Sequence, residues 1–442
     1  MLKKNKKNKQ QDRHRWLLIG FLCLFGVCLV AQVRPTGQKP TAGASTKSTA
    51  DTSKTAPKTK TPAGNKKQSD NKKQPENKKT KVYLLHADEG QADKLARPDV
   101  QVLIGNVKLR HDSMYMYCDS ALIFEKTNSV EAFSNVRMEQ GDTLFIYGDY
   151  LYYDGMTQIA QLRENVKMTD SINKNMLTGD YCFYNELTDS AFATKRAVAI
   201  DYSQGDSLYM HGDTLQMVSY NLNTDSLYRL MKAYHKVRMY RTDVQGVCDS
   251  LVYNSKDSCM TMYTDPILWN DGQQLLGEQI KIYMNDSTID WAHIINQALT
   301  VEMKDSIHYN QVSGKEMKAY FVNGDMRHIE VIGNVLTAFY PEEKDSTMTG
   351  FNCLEGSMLH LYMKDKRMEK GLFIGKSNGT MYPMDQIPPD KLRLPTFAWF
   401  DYVRPLNKDD IFNWRSKRAG ETLKPTTDRR PKTEKRNLIN MK

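Results

Sequence analysis

The sequence predicts an all-β protein built from about eight repeated strand units. From about residue 82, short segments alternate apolar and polar residues and are separated by Gly, Asn and Asp, which is typical of strands and turns. No stretch shows convincing helical periodicity, and only residues 291–300 are ambiguous between a strand and a helical turn. The strand pattern also recurs along the chain, which favours a repeat architecture.

The repeats are clearest in three segments, at residues 105–124, 134–154 and 164–185. Each begins with Asn-Val-x-Leu or Asn-Val-x-Met, continues through a variable turn, and closes with Gly-Asp or Cys-Asp followed by alternating apolar and aromatic residues. Weaker copies follow. The closing Gly or Cys, here called the anchor, falls at Cys118, Gly148, Gly179, Gly212, Cys248, Gly277, Gly314 and Gly356. The uneven steps between anchors indicate strands of fixed length joined by loops of variable length.

Each unit is expected to form two or more strands with one inward apolar face. Val107 and Leu109 point inward from the first strand of a unit, and Met114 and Met116 from the second. The anchor glycine is expected to permit a bend or bulge, and the following Asp to bond nearby backbone N–H groups. Because one unit cannot bury its own apolar face, stacked units would share a continuous apolar stripe.

The positive charge of the chain is confined to its two ends. The formal net charge is +10, but residues 1–81 alone carry 20 basic and 4 acidic side chains, and residues 404–442 carry 12 and 5. Residues 82–403 carry 30 basic and 43 acidic side chains and are therefore acidic. Since nucleic-acid-binding domains place Lys and Arg on the folded surface, no nucleic-acid partner is expected.

The N-terminal residues have the pattern of an export signal. Seven Lys or Arg residues among the first 15 precede an apolar segment at 16–31. That segment is shorter than the roughly 20 apolar residues of a membrane span, so 1–31 is predicted to be a signal peptide, with an uncleaved inner-membrane anchor as the alternative. Residues 32–81 have almost no aliphatic side chains and are predicted to be a disordered basic linker.

No catalytic residue, metal site or cofactor is predicted. The sequence contains no HExxH, Walker A or GxGxxG pattern, and no pair among its nine histidines has the spacing of metal ligands. The five cysteines after the signal are odd in number and lack a CxxC pair, so small apolar strand residues are expected, with one or two disulfides as the alternative. A polysaccharide-active parallel β-helix is the enzymatic alternative, although its coils would be shorter and more evenly spaced.

The repeats resemble those of the OstA-like family, which includes the lipopolysaccharide-transport proteins LptA and LptC and the N-terminal domain of LptD. The likeness is carried by Gly-Asn-Val at 105–107 and 333–335, by Asn-Val at 135–136 and 165–166, and by the anchor closures. It covers roughly residues 82–380, and the length of the chain resembles the larger members of the Bacteroidetes type. The resemblance implies an elongated antiparallel β-jellyroll, an open V of two sheets, with a first part at 82–235 and a second at 236–382.

The resemblance further implies a non-enzymatic periplasmic protein that binds lipopolysaccharide and carries the acyl chains of lipid A for outer-membrane assembly. Methionine suits a groove that accepts many chain conformations. The same inward residues would also form the core of a closed sandwich that holds no ligand, and both interpretations stay open. The candidate groove residues are Val107, Leu109, Met114, Met116, Ile123, Val136, Met138, Leu144, Ile146, Leu151, Val166, Met168 and Leu177.

Open sheet edges at both ends are expected to bind partners by strand pairing. Other jellyroll transport proteins joined end to end, or a second copy of the chain, would fit such edges close to a membrane. The non-enzymatic alternative is a periplasmic scaffold that binds proteins through these edges and carries no lipid. An open apolar interior favours the carrier, and a closed, packed interior favours the scaffold.

The C-terminal residues fall into two parts. Residues 383–404 are rich in Pro and aromatic side chains and are predicted to wrap and cap the last strands, with docking on an outer-membrane partner as the alternative. Residues 405–442 are predicted to be a basic disordered tail.

Overall fold

The computed structural model describes residues 81–421, with short gaps at 93–98, 112, 173, 186, 204–205, 223, 271, 286–287, 324, 344 and 365–366. The predicted signal peptide, nearly all of the predicted linker, and residues 422–442 lie outside the described residues, and the predictions made for them stay predictions.

The described residues form one antiparallel sheet of 24 strands and four short 3₁₀-helices, which confirms the all-β prediction. The ambiguous residues 291–300 lie in a strand. The strands are β1 (Tyr83–His86), β2 (Glu89–Ala92), β3 (Val100–His111), β4 (Met114–Phe124), β5 (Ser129–Gln140), β6 (Leu144–Asp154), β7 (Ile159–Asp170), β8 (Asn175–Asn185), β9 (Ser190–Thr194), β10 (Val198–Asp201), β11 (Leu208–His211), β12 (Thr214–Tyr220), β13 (Tyr228–Tyr240), β14 (Val244–Asn254), β15 (Cys259–Tyr263), β16 (Ile267–Asn270), β17 (Gln273–Leu276), β18 (Gln279–Asn285), β19 (Thr288–Met303), β20 (Tyr309–Val322), β21 (Asp325–Phe339), β22 (Phe351–Lys364), β23 (Arg367–Ile374) and β24 (Asn378–Tyr382). The 3₁₀-helices are η1 (Met384–Gln386), η2 (Pro389–Lys391), η3 (Asp401–Val403) and η4 (Asp410–Phe412).

The chain builds this sheet as a succession of hairpins. Strands β3 to β8 pair in sequence order, and each is 11 or 12 residues long. Further along, some strands are split in the middle, so that β8 pairs with both β9 and β10. Residue 235, where the sequence analysis divided the repeats into two parts, lies inside β13, and this strand pairs with β14 on both sides of it.

Each strand of the Asn-Val type contains a β-bulge. Between β3 and β4, Ile104 pairs with Ser120 and Val107 pairs with Cys118, so β3 carries one extra residue. The extra residue belongs to a pair of residues whose backbone has the left-handed conformation, with positive φ. Asn tolerates this conformation better than most other residues. Such pairs occur at 105–106, 134–135, 164–165, 195–196, 264–265, 296–297 and 333–334.

The expected role of the anchor glycines was wrong, because the bulge lies on the strand facing them. None of the anchor glycines has a positive φ. Several of these positions require glycine because a side chain would collide with the facing strand. A Cβ at Gly277 would lie 2.5 Å from Ile294 Cγ2, and one at Gly314 would lie 2.6 Å from Val331 Cγ1. Where the facing strand leaves room, Cys118 occupies the same position and is buried.

The bulges fold the single sheet into two layers that face each other. Layer A holds the strand halves before each left-handed pair, such as 100–104, and layer B holds the halves after it, such as 107–111. Inward side chains of both layers form one apolar cluster that runs from Leu103 to Leu359. Tyr153 Oη of layer A lies 3.2 Å from His111 Nδ1 of layer B. The two predicted sheets are therefore the two layers of one sheet.

Gly105 is expected to be the most sensitive glycine of the first bulge. Its φ is +80°, and a Cβ there would clash with the side chain of Asp88. We expect Gly105→Ala to lower the free energy of unfolding by about 2 kcal/mol, because left-handed strain and the clash add. Gly141→Ala is the control, since Gly141 also has a positive φ but no atom lies within 4 Å of its added Cβ. Urea unfolding in which both variants lose the same stability would contradict this account.

The sheet has open edges at both ends. Within the described residues, β1 and β2 pair only with β3, and β23 and β24 pair only with β22. The edge strands also expose large apolar side chains. These are Tyr83, Leu84 and Leu85 at one end and Met368, Leu372, Ile374 and Met381 at the other.

Residues 383–421, here called the strap, run back along the outer face of layer B. Gln274 Nε2 donates to Ala398 O over 2.9 Å, and its Oε1 accepts from Phe400 N over 2.7 Å. Gln311 holds an earlier part of the strap by the same two-sided contact, to Leu392 and Leu394.

The strap remains in contact with the sheet beyond residue 404, where the sequence analysis ended the capping segment. Arg238 is buried, donates to Ile411 O, and lies 5.5 Å from the ring of Trp414. Burial lowers the pKa of Arg238 to about 10, against the opposing effect of Asp213 and Asp410. The packed segment therefore extends at least through η4.

Across the described part of the chain, no helix has the length and apolar character that crossing a membrane requires.

Candidate functional site

The 13 predicted groove residues all lie in the interior between the two layers. Eleven of them are buried members of the main apolar cluster, and Met114 and Ile123 are half-buried and pack against it. Leu109 and Leu151 are 0% exposed, whereas Met168 is 7% exposed. The geometry thus brings the predicted residues together on one apolar surface, and their use as a lipid groove stays a prediction.

The interior contains a cavity of about 70 Å³ among the early repeats. Its wall is apolar and rich in methionine. This volume is smaller than a whole acyl chain needs. The lining residues are Met114, Met138, Gln140, Ile146, Tyr153, Gln158, Ala160, Leu162, Met168, Leu177, Cys182, Phe183, Tyr184, Ala191, Phe192 and Met217.

The cavity reaches the surface between the strand ends that lie farthest from the bulges. Met114 and Gln140 stand at such ends in layer B, and Gln158 and Tyr184 stand at the facing ends in layer A. All four are half-buried. We call this opening the mouth, and it separates an apolar interior from a rim with two amide side chains.

A buried polar cluster lies beside the mouth. The Asp189 side chain is 0% exposed, and its carboxylate accepts from Arg229 Nη2 over 3.0 Å and from Ser219 Oγ over 2.5 Å. Tyr184, which lines the cavity, also donates to Asp189 over 3.4 Å. These contacts fix one rim of the mouth, because a buried carboxylate is stable only when it is paired.

A row of side-chain hydrogen bonds crosses the bulges on the outer surface. Asn135 Nδ2 donates to Asp119 over 2.7 Å, and Asn165 Nδ2 donates to Asp149 over 2.5 Å. Asn106 makes the same contact with Asp88 over 2.8 Å. The repeating pattern therefore begins before residue 105, where the first repeat was recognised in the sequence. The Asn-Val and Gly-Asp motifs therefore pair with each other across neighbouring strands and serve the architecture.

The five described cysteines are free thiols, and four of them are buried. Burial raises the pKa of Cys118 to about 11 and that of Cys182 to about 12, and it raises the pKa of Cys248 further. The alternative of one or two disulfides is not seen among these residues, in keeping with their expected role as small apolar strand residues.

Alkylation of the native full chain at pH 8 is expected to leave these three thiols unmodified, because thiols with such raised pKa values carry almost no thiolate. Peptide mass mapping after iodoacetamide treatment measures this, with the urea-unfolded chain as the fully reactive control. Modification of Cys182 in the native chain at the rate seen in the urea-unfolded chain would contradict the buried placement.

Sequence reasoning missed two features, of which only the first depends on strand pairing. His328 and His360, which are 32 residues apart, lie on neighbouring strands with 2.9 Å between His328 Nε2 and His360 Nδ1. The sequence also contains one G-x-S-x-G pattern, at 375–379. This pattern spans the connection between β23 and β24 and the first two residues of β24. Its residues are exposed, and it lacks the strand-to-helix turn that supports a nucleophile in hydrolases.

Comparison with known protein families agrees with this arrangement of repeats. The sequence model of the family described as OstA-like protein matches residues 79–203. Over these residues the chain is similar to the OstA-like family. The matched region covers β1 to β10 and contains every cavity-lining residue except Met217. No curated protein matches the chain.

The similarity to the OstA-like family indicates a broad class of protein. The family consists of transport and binding proteins of the periplasm and cell envelope and is not a family of enzymes. Its β-structures are of the lipid-transport type. The likeness to the larger Bacteroidetes-type members stays a prediction.

Proposed function

We propose that this protein binds lipopolysaccharide and carries the acyl chains of lipid A between layers A and B on their way to the outer membrane. The observation that carries the proposal is the unbroken apolar cluster between the layers, which passes through every repeat and opens at the mouth within the OstA-like region. Export from the cytoplasm, by the predicted signal peptide, is part of this proposal.

The physical reason for a carrier is the cost of exposing acyl chains to water. Each buried CH₂ group contributes about 0.8 kcal/mol, so a lipid with several chains crosses an aqueous space only when it is shielded. Sliding along an apolar surface needs no catalytic group. The sugars and phosphates of the lipid would stay outside the mouth, near Gln140 and Gln158.

Loading requires the mouth to widen. The cavity of about 70 Å³ is smaller than a whole acyl chain. Met114, Met138 and Met168 line it, and their unbranched side chains change rotamer at low cost. The lipid would therefore enter by displacing methionine side chains and separating the free ends of the two layers, while the bulges hold their other ends together.

The test is lipid analysis of the full chain purified under mild conditions from a host that makes lipopolysaccharide. We expect native mass spectrometry to detect bound lipid A or lipopolysaccharide. Met114→Asp is expected to reduce the bound lipid at least about tenfold, since a charge at the mouth opposes entry of an apolar chain. Tyr115→Asp places the same charge on the outer face of the same strand and is the control.

Two outcomes decide the proposal. Lipid that is lost from Met114→Asp but retained by Tyr115→Asp, with circular dichroism unchanged in both, supports carriage through the mouth. A folded wild-type chain that contains no lipid and takes up none when lipopolysaccharide is added excludes the carrier.

A second candidate function is a scaffold that binds protein partners through its sheet edges. The packed interior, in which most inward side chains are less than 10% exposed, favours it, as do the exposed apolar side chains on the edge strands. The two ends also differ in charge, with Asp88 and Glu89 beside the first edge and Lys370 and Lys376 beside the last. Such ends fit head-to-tail association, with a second copy or with another jellyroll protein.

Association of this kind is tested by light scattering of the full chain over a range of concentrations. We expect wild type to associate as its concentration rises, and Met381→Lys, on the exposed edge strand β24, to weaken that association at least about tenfold. Leu187→Lys is the control, because Leu187 is equally accessible but lies in the connection between β8 and β9. A wild-type chain that stays monomeric throughout would remove self-association and leave only pairing with other proteins.

A further inference from the structure

Three potential metal ligands converge on the outer face of layer A near the end of the sheet. Strand pairing places Glu330 of β21 directly opposite His360 of β22, and His328 lies two residues before Glu330 on the same face. The three side chains offer ligand atoms that lie within 4.8 Å of one another. They are partly shielded, with side-chain exposures of 24% for His328, 25% for Glu330 and 16% for His360.

The distances suit a small divalent ion. His328 Nε2 and His360 Nδ1 are 2.9 Å apart, and Glu330 Oε1 lies 3.9 Å from His360 Nδ1. Ligand atoms bound about 2.1 Å from a tetrahedral ion are separated by about 3.4 Å. One of these two separations is about half an ångström shorter than that value and the other about half an ångström longer, and all three ligand atoms lie within 4.8 Å of one another. Small side-chain shifts would therefore bring them into a shared coordination sphere.

Neighbouring side chains hold the three groups in place. The His328 ring stacks between Tyr320 and Tyr362, at centroid distances of 5.6 and 4.8 Å. Tyr320 Oη donates to Glu330 Oε2 over 3.3 Å, which leaves Oε1 directed towards the imidazoles. On the far side of His360, Nε2 lies 3.1 Å from Met358 Sδ. Supporting contacts of this kind orient metal ligands and raise the affinity of a site.

We propose that His328, Glu330 and His360 bind a divalent transition-metal ion of the zinc class. Two imidazoles and one carboxylate form a ligand set typical of zinc, and water would complete the coordination. Calcium and magnesium are disfavoured, because they prefer all-oxygen ligands. The ion would join β21 to β22 and hold the strand with which both edge strands, β23 and β24, pair. This proposal does not depend on lipid carriage.

The test is titration of the full chain, freed of metals by a chelator and carrying no affinity tag, with Zn²⁺ in an isothermal calorimeter. We expect one tight site per chain. His360→Ala and Glu330→Gln are each expected to weaken binding at least about 100-fold, and Tyr320→Phe, which loses only the support of Glu330, about tenfold. His293→Gln is the control, because His293 lies on the same face of layer A and is paired with one carboxylate, that of Glu316 at 3.1 Å, but is not part of the three-ligand cluster.

A second measurement separates a built site from casual binding by surface histidines. Co²⁺ bound at the site should give visible absorption bands typical of low coordination number in the wild type and in His293→Gln, and not in His360→Ala. Circular dichroism verifies that each variant is folded, which we expect because the altered side chains lie on the outer face. Zn²⁺ affinity that is equal in wild type and His360→Ala, or the absence of saturable binding, would overturn the proposal.

Discussion

Trp269→Ala is expected to cost about 3–5 kcal/mol of unfolding free energy, one of the two largest effects anticipated for this protein. Trp269 lies on the outer face of β16, is 1% exposed, and packs with Leu299, Val301 and Phe400 under the strap. Truncation of a buried Trp removes its apolar contacts and leaves a cavity that the rigid sheet fills only partly. The loss falls where the strap and the sheet meet, so the strap should become easier to detach.

Urea unfolding and limited trypsin digestion of the full chain measure the two parts of this prediction. Trp414→Ala is the control of the same residue type, because Trp414 lies on the strap but is 38% exposed. It should lose about 1 kcal/mol or less, mainly its contact with Arg238. Equal stability losses in the two variants would show that the strap contributes little to the fold.

The strap shows where sequence patterns have limited reach. Its aromatic and Pro content indicated a capping segment, and the contacts of Phe400 and Trp269 agree with wrapping around the strands. Its length was not predictable, because the residues after 404 are polar or basic and read as disordered. They pack because two arginines far away in the sequence contact them. Arg238 on β13 donates to Ile411 O, and the Arg196 guanidinium, between β9 and β10, lies 4.2 Å from the ring of Phe412.

The β-repeats were far more accessible to sequence reasoning. Alternation with a period of two fixes which residues face inward, and for this reason the inward positions from Val107 to Leu177 were identified correctly as interior. The repeats indicated that each unit contains a bulge, but the sequence analysis attributed the bulge to the anchor glycine and not to the Asn of the facing strand. Only the backbone shows that Asn106 is left-handed while the anchor glycines are not.

Contacts between different hairpins lie beyond any local pattern. His328 and His360 meet because β21 and β22 pair in one particular register, which depends on the length of the connection between them. The volume of the cavity depends likewise on how Met168 and Met217 of the two layers pack against each other. A sequence therefore predicts that an apolar interior exists, and does not predict whether it is open or filled.

Leu177→Asp is the second substitution with a large expected effect. Leu177 is 2% exposed, lines the cavity from layer B, and faces an apolar wall formed by Leu162, Cys182 and Met217. A carboxylate there would have no partner and little water, and burial of an unpaired charge costs several kcal/mol. We expect a loss of about 4 kcal/mol or more, or no folded protein at all.

Thr178→Asp is the matched control, because Thr178 is the next residue of β8 and faces outward. Its cost should be about 1 kcal/mol or less, and far-ultraviolet circular dichroism with urea unfolding measures both variants. A stable Leu177→Asp chain would mean that water reaches the interior freely, which would itself favour an open groove. If Leu177→Asp unfolds as expected, charges deep in the interior report on folding alone. Substitutions at the mouth, such as Met114→Asp, are then the ones that separate lipid carriage from packing.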